Sequence, residues 1–293
     1  MLSVAILLRT FLVISSLTYG TFMNANPNVD ARNHNEIRIK EGKSGIFVGS
    51  SAHLELWIFY SLMHKKHLAH KLGVKEYLEK FVEKVNAIFE TQAKILNVKF
   101  TLAGSRLWNE EHRALSPDMQ SLDAELLKEI LKVYAGREEK QWKKQHPHRH
   151  IAAFLYLTPK QIKDMDENNK IVSGVSGQIG GICVKDEKVA AVTDSPGKYT
   201  GVRSAARQLS RLMGAVYDGE EPPPQELVPG SDGAQDCSYS DGYLMGKEDV
   251  NGEKSLKLSD CSSYQHIMGL RNRGPGCYGT STEKESLSNF IEK

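Results

Sequence analysis

No Asn-x-Ser/Thr sequon occurs in the 293 residues, so no N-linked glycan is expected. There is no excess of one charge either: 38 Lys and Arg stand against 36 Asp and Glu, a net of +2. That balance is too even to imply nucleic acid as a partner, where a basic stripe would be expected. Cysteine is scarce. The four are Cys183, Cys237, Cys261 and Cys277, all in the C-terminal 40% of the chain. None forms a CxxC pair, which argues against a zinc–cysteine site. No G-x-S-x-G elbow is present, so Asp194 and Ser195 read as structural rather than as parts of a serine hydrolase. After the first residues no apolar run of membrane length follows.

What is there begins with MLSVAILLRTFLVISSLTYG, an apolar stretch broken by Arg9 and ending in small residues. It reads as a signal peptide over residues 1–20, with Gly20 or Ala25 before the cut. The chain is therefore expected to be secreted, with no membrane span after signal removal. An even cysteine count behind a signal peptide points to two disulfides, in any of three connectivities. Residues 21–45 are polar and unpatterned, a flexible lead-in.

Hydrophobic spacing then sets out an α/β order. His53 to Met63 reads as a buried strand. The next segment places Tyr77, Leu78, Phe81, Val82, Val85, Ile88 and Phe89 on one helical face. Val98, Phe100 and Leu102 alternate as in a strand. A second helix is expected in SLDAELLKEILKVYAGRE, with Ser121 as N-cap and Gly136 as its stop. IAAFLYLT is a buried strand, and GICVKDEKVAAVTD supplies one or two more. Near residues 200–213 a third helix carries the stripe Val202, Ala205, Ala206, Leu209, Leu212 and Met213 and ends at Gly214. EEPPPQELVPGSDG follows, which continues neither a helix nor a central strand.

The third helix carries a resemblance. Metzincin proteases bear H-E-x-x-H-x-x-G-x-x-H and a later Met-turn. Here RQLSRLMGAVYDG sets Gly214 in the glycine position, and GAVYDG resembles the GAVHDG of the reprolysin (adamalysin) family. Upstream, GGIC and AVTDSPGKYTGV are similar to that family's approach to its zinc helix. Downstream, CSYSDGYLMG resembles its Met-turn region, with Met245 as the methionine, and LSDCSSYQHIMGLRNRGPGC its closing helix. The likeness covers roughly residues 46–280 and is densest over 174–277; short secreted metalloproteases of arthropod saliva and venom are similar.

The resemblance implies a twisted, mostly parallel mixed sheet of about five strands flanked by helices, plus a small disulfide-bonded C-terminal subdomain. In domain terms it implies an upper subdomain over 46–219, a lower one over 220–280 with the Met-turn, and a tail over 281–293. It implies the pairs Cys183–Cys277 and Cys237–Cys261, structural roles for Gly214 and Asp218, and a cleft that takes an extended peptide along an edge strand.

The motif's own side chains depart from the family. Its three histidine positions hold Arg207, Arg211 and Tyr217, and its general-base position holds Gln208. A zinc ligand offers a lone pair, which a guanidinium lacks. Gln208 cannot accept the proton of an attacking water. No inhibitory propeptide is expected either. The reading is a metalloprotease-like protein without metal, cofactor or catalytic residue, which binds an extracellular protein or peptide. Two alternatives stand beside it: an active zinc endopeptidase with non-standard ligands, and a basic surface- or glycan-binding protein. The latter would use KKHLAHK and KKQHPHRH. The histidines of those segments, His64, His67, His70, His146, His148 and His150, read as solvated surface, and His112 and His266 as isolated. Arg207 and Arg211, one turn apart, are expected to face an acid, an anion or solvent.

Overall fold

The computed structural model describes residues 51–69, 73–248 and 252–279, all within one unit spanning Ile37–Lys293. The expected signal segment 1–20, the lead-in 21–45, the tail 281–293 and His70 lie outside the described residues.

Strand β1, Ser51–Tyr60, sends Leu54, Leu56 and Ile58 to one face and Trp57 and Phe59 to the other, as the pleat requires. The predicted strand stops three residues short of Met63. Ser61 ends it and caps a short helix α1, Leu62–Leu68, by accepting a bond from the His64 N–H. Helix α2, Val74–Glu90, buries all seven residues of the apolar stripe named above. Strand β2, Asn97–Leu107, returns parallel to β1, with a register shift at Leu56/Trp57.

A two-residue strand β3, Leu122–Asp123, leads into helix α3, Ala124–Lys143. The helix start and stop expected at Ser121 and Gly136 are both displaced. Asp123 is the N-cap, accepting from the Leu126 N–H at 3.0 Å. Ser121 instead bonds Ser116 at 2.7 Å and Asp118 at 2.8 Å. Gly136 sits inside α3, because the apolar face continues past it to Trp142.

Strand β4, Ile151–Thr158, is buried at every position, as befits a central parallel strand covered on both sides. Short strands β5 (Ile162–Asp164) and β6 (Lys170–Val172) form a small sheet with β3. Strands β7 (Gly174–Ser176) and β8 (Val189–Thr193) complete the main sheet. Its order is β2-β1-β4-β8-β7, parallel throughout except for the antiparallel β7 at one edge. Of the one or two strands expected in GICVKDEKVAAVTD, β8 is the one formed, and GICV is turn.

Helix α4, Val202–Leu212, lies with α2 against one sheet face, and α3 covers the other. This mixed five-stranded sheet flanked by helices is the fold the sequence implies. Two further helices, α5 (Asp260–Arg271) and α6 (Pro275–Tyr278), follow a long irregular stretch. Disulfides join Cys183 to Cys277 and Cys237 to Cys261, the pairs the resemblance implies. Their sequence separations of 94 and 24 residues correspond to loop-closure contributions of about 4.7 and 3.5 kcal/mol. Among the described residues no helix is long and apolar enough to cross a membrane.

Candidate functional site

The start of α4 is fixed by Asp194, a buried carboxylate immediately after β8. Its Oδ1 accepts from the Gly201 N–H at 2.8 Å. Its Oδ2 accepts from the Tyr77 hydroxyl at 2.6 Å and lies 3.1 Å from His64 Nε2. His64 Nδ1 in turn lies 3.0 Å from Ser61 Oγ. His64 is fully buried, so its reading as solvated surface is corrected. The serine, imidazole and carboxylate stand in the order of a hydrolase triad. Ser61, His64 and Asp194 all have zero exposure, however, so no substrate reaches them and the chain is structural. Burial, then the bond to Asp194, push the Tyr77 phenol far above its ordinary range, so it stays a donor. The network clamps α1, α2 and α4 together ahead of the motif.

At the other end, Gly214 terminates α4 with φ 103°. A Cβ there would meet Gly269 Cα at 3.2 Å, and one on Gly269 would collide with the Met213 carbonyl oxygen. The end of α4 and α5 thus cross backbone to backbone. His266 on α5, expected to be isolated, is fully buried, with Nδ1 3.1 Å from Gln92 Oε1. Burial pushes its pKa down to about 3.

Between these anchors lie the motif residues. Arg207 is only 3% exposed. Its NH1 donates to the Leu244 carbonyl at 3.2 Å and to the Gly246 carbonyl at 2.8 Å, while its Nε lies 3.4 Å from Glu248 Oε1. Its Cζ stands 4.3 Å from the centre of the Tyr217 ring. Arg211, part-exposed, stands 4.8 Å from the same centre, and its guanidinium makes no hydrogen bond or ion pair among the described residues. Each such contact of a cation with an aromatic face is worth about 0.5–2 kcal/mol, more than the few tenths lost to like charges one turn apart. Gln208 is buried against β7, where a Cβ on Gly174 would meet its Cγ at 3.2 Å.

Facing α4 is the tight turn Tyr243–Gly246. Leu244 N donates to the Lys257 carbonyl at 2.8 Å and Gly246 N to the Tyr243 carbonyl at 3.0 Å. Met245 is fully buried beneath the motif, and its carbonyl accepts from the Asp218 N–H at 3.1 Å. Asp218 is itself buried and accepts from the Ser259 hydroxyl at 2.7 Å. Burial raises its carboxyl pKa, and the Ser259 bond opposes that.

Of the residues singled out in the sequence, the structure brings Arg207, Arg211 and Tyr217 together and joins Asp218 to Met245, while Gln208 lies against β7 and Gly214 against α5. Sequence reasoning missed two partners. Arg203, one turn before Arg207, donates to the carbonyls of Ser255, Glu248 and Lys247 at 3.1, 2.7 and 3.2 Å. Glu248 also accepts from the Ser173 hydroxyl at 3.0 Å, tying this loop to the residue before β7. The spacing of three arginines at 203, 207 and 211 was the available signal.

No family model matches the chain. Over 120 residues, 39% of its length, it is 34% identical to a protein of Bombyx mori described as "A disintegrin and metalloproteinase with thrombospondin motifs like". Over 109 residues, 36% of its length, it is 30% identical to the venom metalloproteinase antarease-like TtrivMP_A of Tityus trivittatus. These matches cover 17% and 27% of the relatives' own lengths.

Across just over a third of its length the chain is similar to metalloproteinases.

Two solved structures are similar at low levels. One is a zinc-dependent peptidase from Methanocorpusculum labreanum, 13% identical with a TM-score of 0.39 over 72% of this chain and 99% of that one. The other is archaemetzincin from Methanopyrus kandleri, 14% identical with a TM-score of 0.36 over 84% and 98%. The likeness to metalloproteinases rests on the two sequence relatives.

The resemblance to metzincins implies zinc, so the fit of these side chains to zinc matters. Two of the three ligand positions present guanidinium groups with five donors and no lone pair. One of them, Arg207, already uses its donors on backbone carbonyls. Tyr217 lies under both arginines as an aromatic platform. The donor set does not match tetrahedral zinc. Among the described residues there is no cluster of three or more His, Cys, Asp or Glu able to hold a metal ion.

Proposed function

We infer that this chain is a secreted pseudoprotease of reprolysin type, a binding protein built on a protease frame. The observation that carries the reading is Arg207, buried at the first ligand position and bonded to the Leu244 and Gly246 carbonyls. A divalent cation placed 4 Å from one guanidinium is opposed by about 8 kcal/mol at an effective dielectric near 20. Gln208 offers no base, so neither half of zinc-assisted hydrolysis is supplied by these residues. In this reading Met245 is the Met-turn methionine, retained because the turn now seats an arginine rather than a metal site.

The peptide-binding half of the frame is retained. β7 is a short antiparallel edge strand beside α4, so an extended segment of an extracellular protein can pair with it. The part-exposed Arg211 guanidinium, over the Tyr217 ring, has donors that are unused among the described residues, suited to a peptide carbonyl or an acidic side chain. Two disulfides and the N-terminal apolar segment support secretion.

The test is restoration. Arg207→His, Gln208→Glu, Arg211→His and Tyr217→His together rebuild the motif. Zinc content measured by elemental analysis after dialysis is expected to rise to about one ion per chain in the fourfold variant, and to stay near zero in the parent. Stoichiometric zinc in the parent, with chelator-sensitive peptide cleavage, would overturn the reading.

A further inference from the structure

A cavity of about 780 Å³ opens between the C-terminal half of α3, the turn at 183–188 and α6. It shares no lining residue with the Arg207 site. Six cationic side chains line it: Arg137, Lys140, Lys143, Lys185, Lys188 and Arg273. The one lining carboxylate, Glu139, is engaged by Lys188 at 2.8 Å and by Lys143 at 3.2 Å. The other four cations have weak or neutral partners. Arg137 rests on the Tyr134 ring at 5.6 Å, and Lys185 is 3.8 Å from Asp186. Arg273 donates to the Gly180 carbonyl. Lys140 has no hydrogen bond or ion pair among the described residues. A second depression shares Arg137 and Lys140 with the first and adds Gln141, Lys144 and Gln145. The basic surface is therefore a track, with amide groups beside the charges.

We propose that this track binds a sulfated polysaccharide chain. The proposal takes only secretion from the reading above, and is independent of the state of the zinc motif. Three features select this ligand. First, the track lies along the last turns of α3, where helix carbonyls repel a lone anion, so binding must come from several side chains acting on spaced charges. A polymer supplies those; a single phosphate does not. Second, no Phe, Tyr or Trp lines either depression, so the stacking platforms that hold single-stranded nucleic acid are missing. Third, the disulfide Cys183–Cys277 contributes to the cavity wall and marks an oxidising, extracellular setting, where sulfated glycans are the common polyanions.

The probe is a heparin-derived hexasaccharide, with affinity read by titration calorimetry on the full mature chain at about 0.15 M ionic strength. Arg137→Gln/Lys140→Gln/Lys185→Gln is compared with Lys65→Gln/Lys66→Gln/Lys75→Gln, an equal charge loss at exposed positions of α1 and α2. The cavity variant is expected to bind about tenfold more weakly, and the α1/α2 variant within about twofold of the parent. Matching circular dichroism spectra and melting curves establish that both variants are folded. The proposal is overturned if the parent does not bind, if both variants lose affinity equally, or if the desulfated hexasaccharide binds as well. Tighter binding of a thymidine oligonucleotide, of phosphatidylserine vesicles or of inorganic sulfate also overturns it.

Discussion

Arg207, at a position where the resemblance to metzincins implies an electron-pair donor, donates hydrogen bonds instead. Arg207→Ala leaves two buried carbonyls, Leu244 and Gly246, without their donor, at about 1–3 kcal/mol each. Chemical denaturation of that variant is expected to show a loss of about 2–4 kcal/mol. Asp194→Asn is expected to cost about 1–3 kcal/mol, because the Tyr77 hydroxyl and Gly201 N–H lose a charged acceptor. His266 gives a pH signature. Its folded pKa is pushed down to about 3 from 6.5 by burial, so between those values the unfolded chain binds the proton and the folded chain does not. Stability therefore falls as pH drops from about 6.5 toward 3. Denaturant midpoints measured for parent and His266→Gln at about pH 7.5 and pH 5 check this, the parent losing more on acidification. Partners of this kind are not legible locally. His64 sits in a run of lysines and reads as surface, while its acceptor Asp194 lies 130 residues away. The common direction of Arg207 and Arg211 is legible from helix spacing; the burial of Arg207 depends on a turn 37 residues downstream.

At the scale of elements, amphipathic spacing identified the long helices because each buries one continuous stripe, as α2 does from Tyr77 to Phe89. Their ends were less legible. A glycine reads as a helix stop, yet Gly136 is mid-helix, held there by the burial of Trp142 one and a half turns later. Gly136 does not have positive φ, and a Cβ there would meet only Asp186 Oδ1 at 3.6 Å, an ordinary contact. Gly136→Ala is therefore expected to stabilise the protein by about 0.4–1 kcal/mol, seen as a higher melting temperature. The opposite is expected of Gly269→Ala on α5, whose Cβ has no room beside the Met213 carbonyl. Calorimetric melting of the two variants should move in opposite directions.

For the molecule as a whole, a mostly parallel sheet flanked by helices was legible because strands alternate with helices along the chain, while the spatial order of its strands was not. The sheet's antiparallel edge was not, since β7 is three residues long and carries too little pattern. The site and the basic track lie on different elements, α4 and its facing turn for one, α3 and α6 for the other. Gly180 touches both, its N–H donating to the Arg211 carbonyl and its carbonyl accepting from Arg273. Arg207 and Lys140 share no partner, so Arg207→Ala and Lys140→Gln are expected to act additively on stability in a combined variant.

The bridge between Cys183 and Cys277 also constrains how the chain is made. Of the four thiols, Cys183 leaves the ribosome first and its mate leaves last, with Cys237 and Cys261 emerging in between. The early thiol must decline two neighbours before its own arrives. The strands of the main sheet and α4 all precede Cys277 in the chain, so they are able to fold and hold the early thiol in position before its mate emerges. A nascent chain halted before residue 277 and exposed to oxidant would be the place to look for the wrong bond.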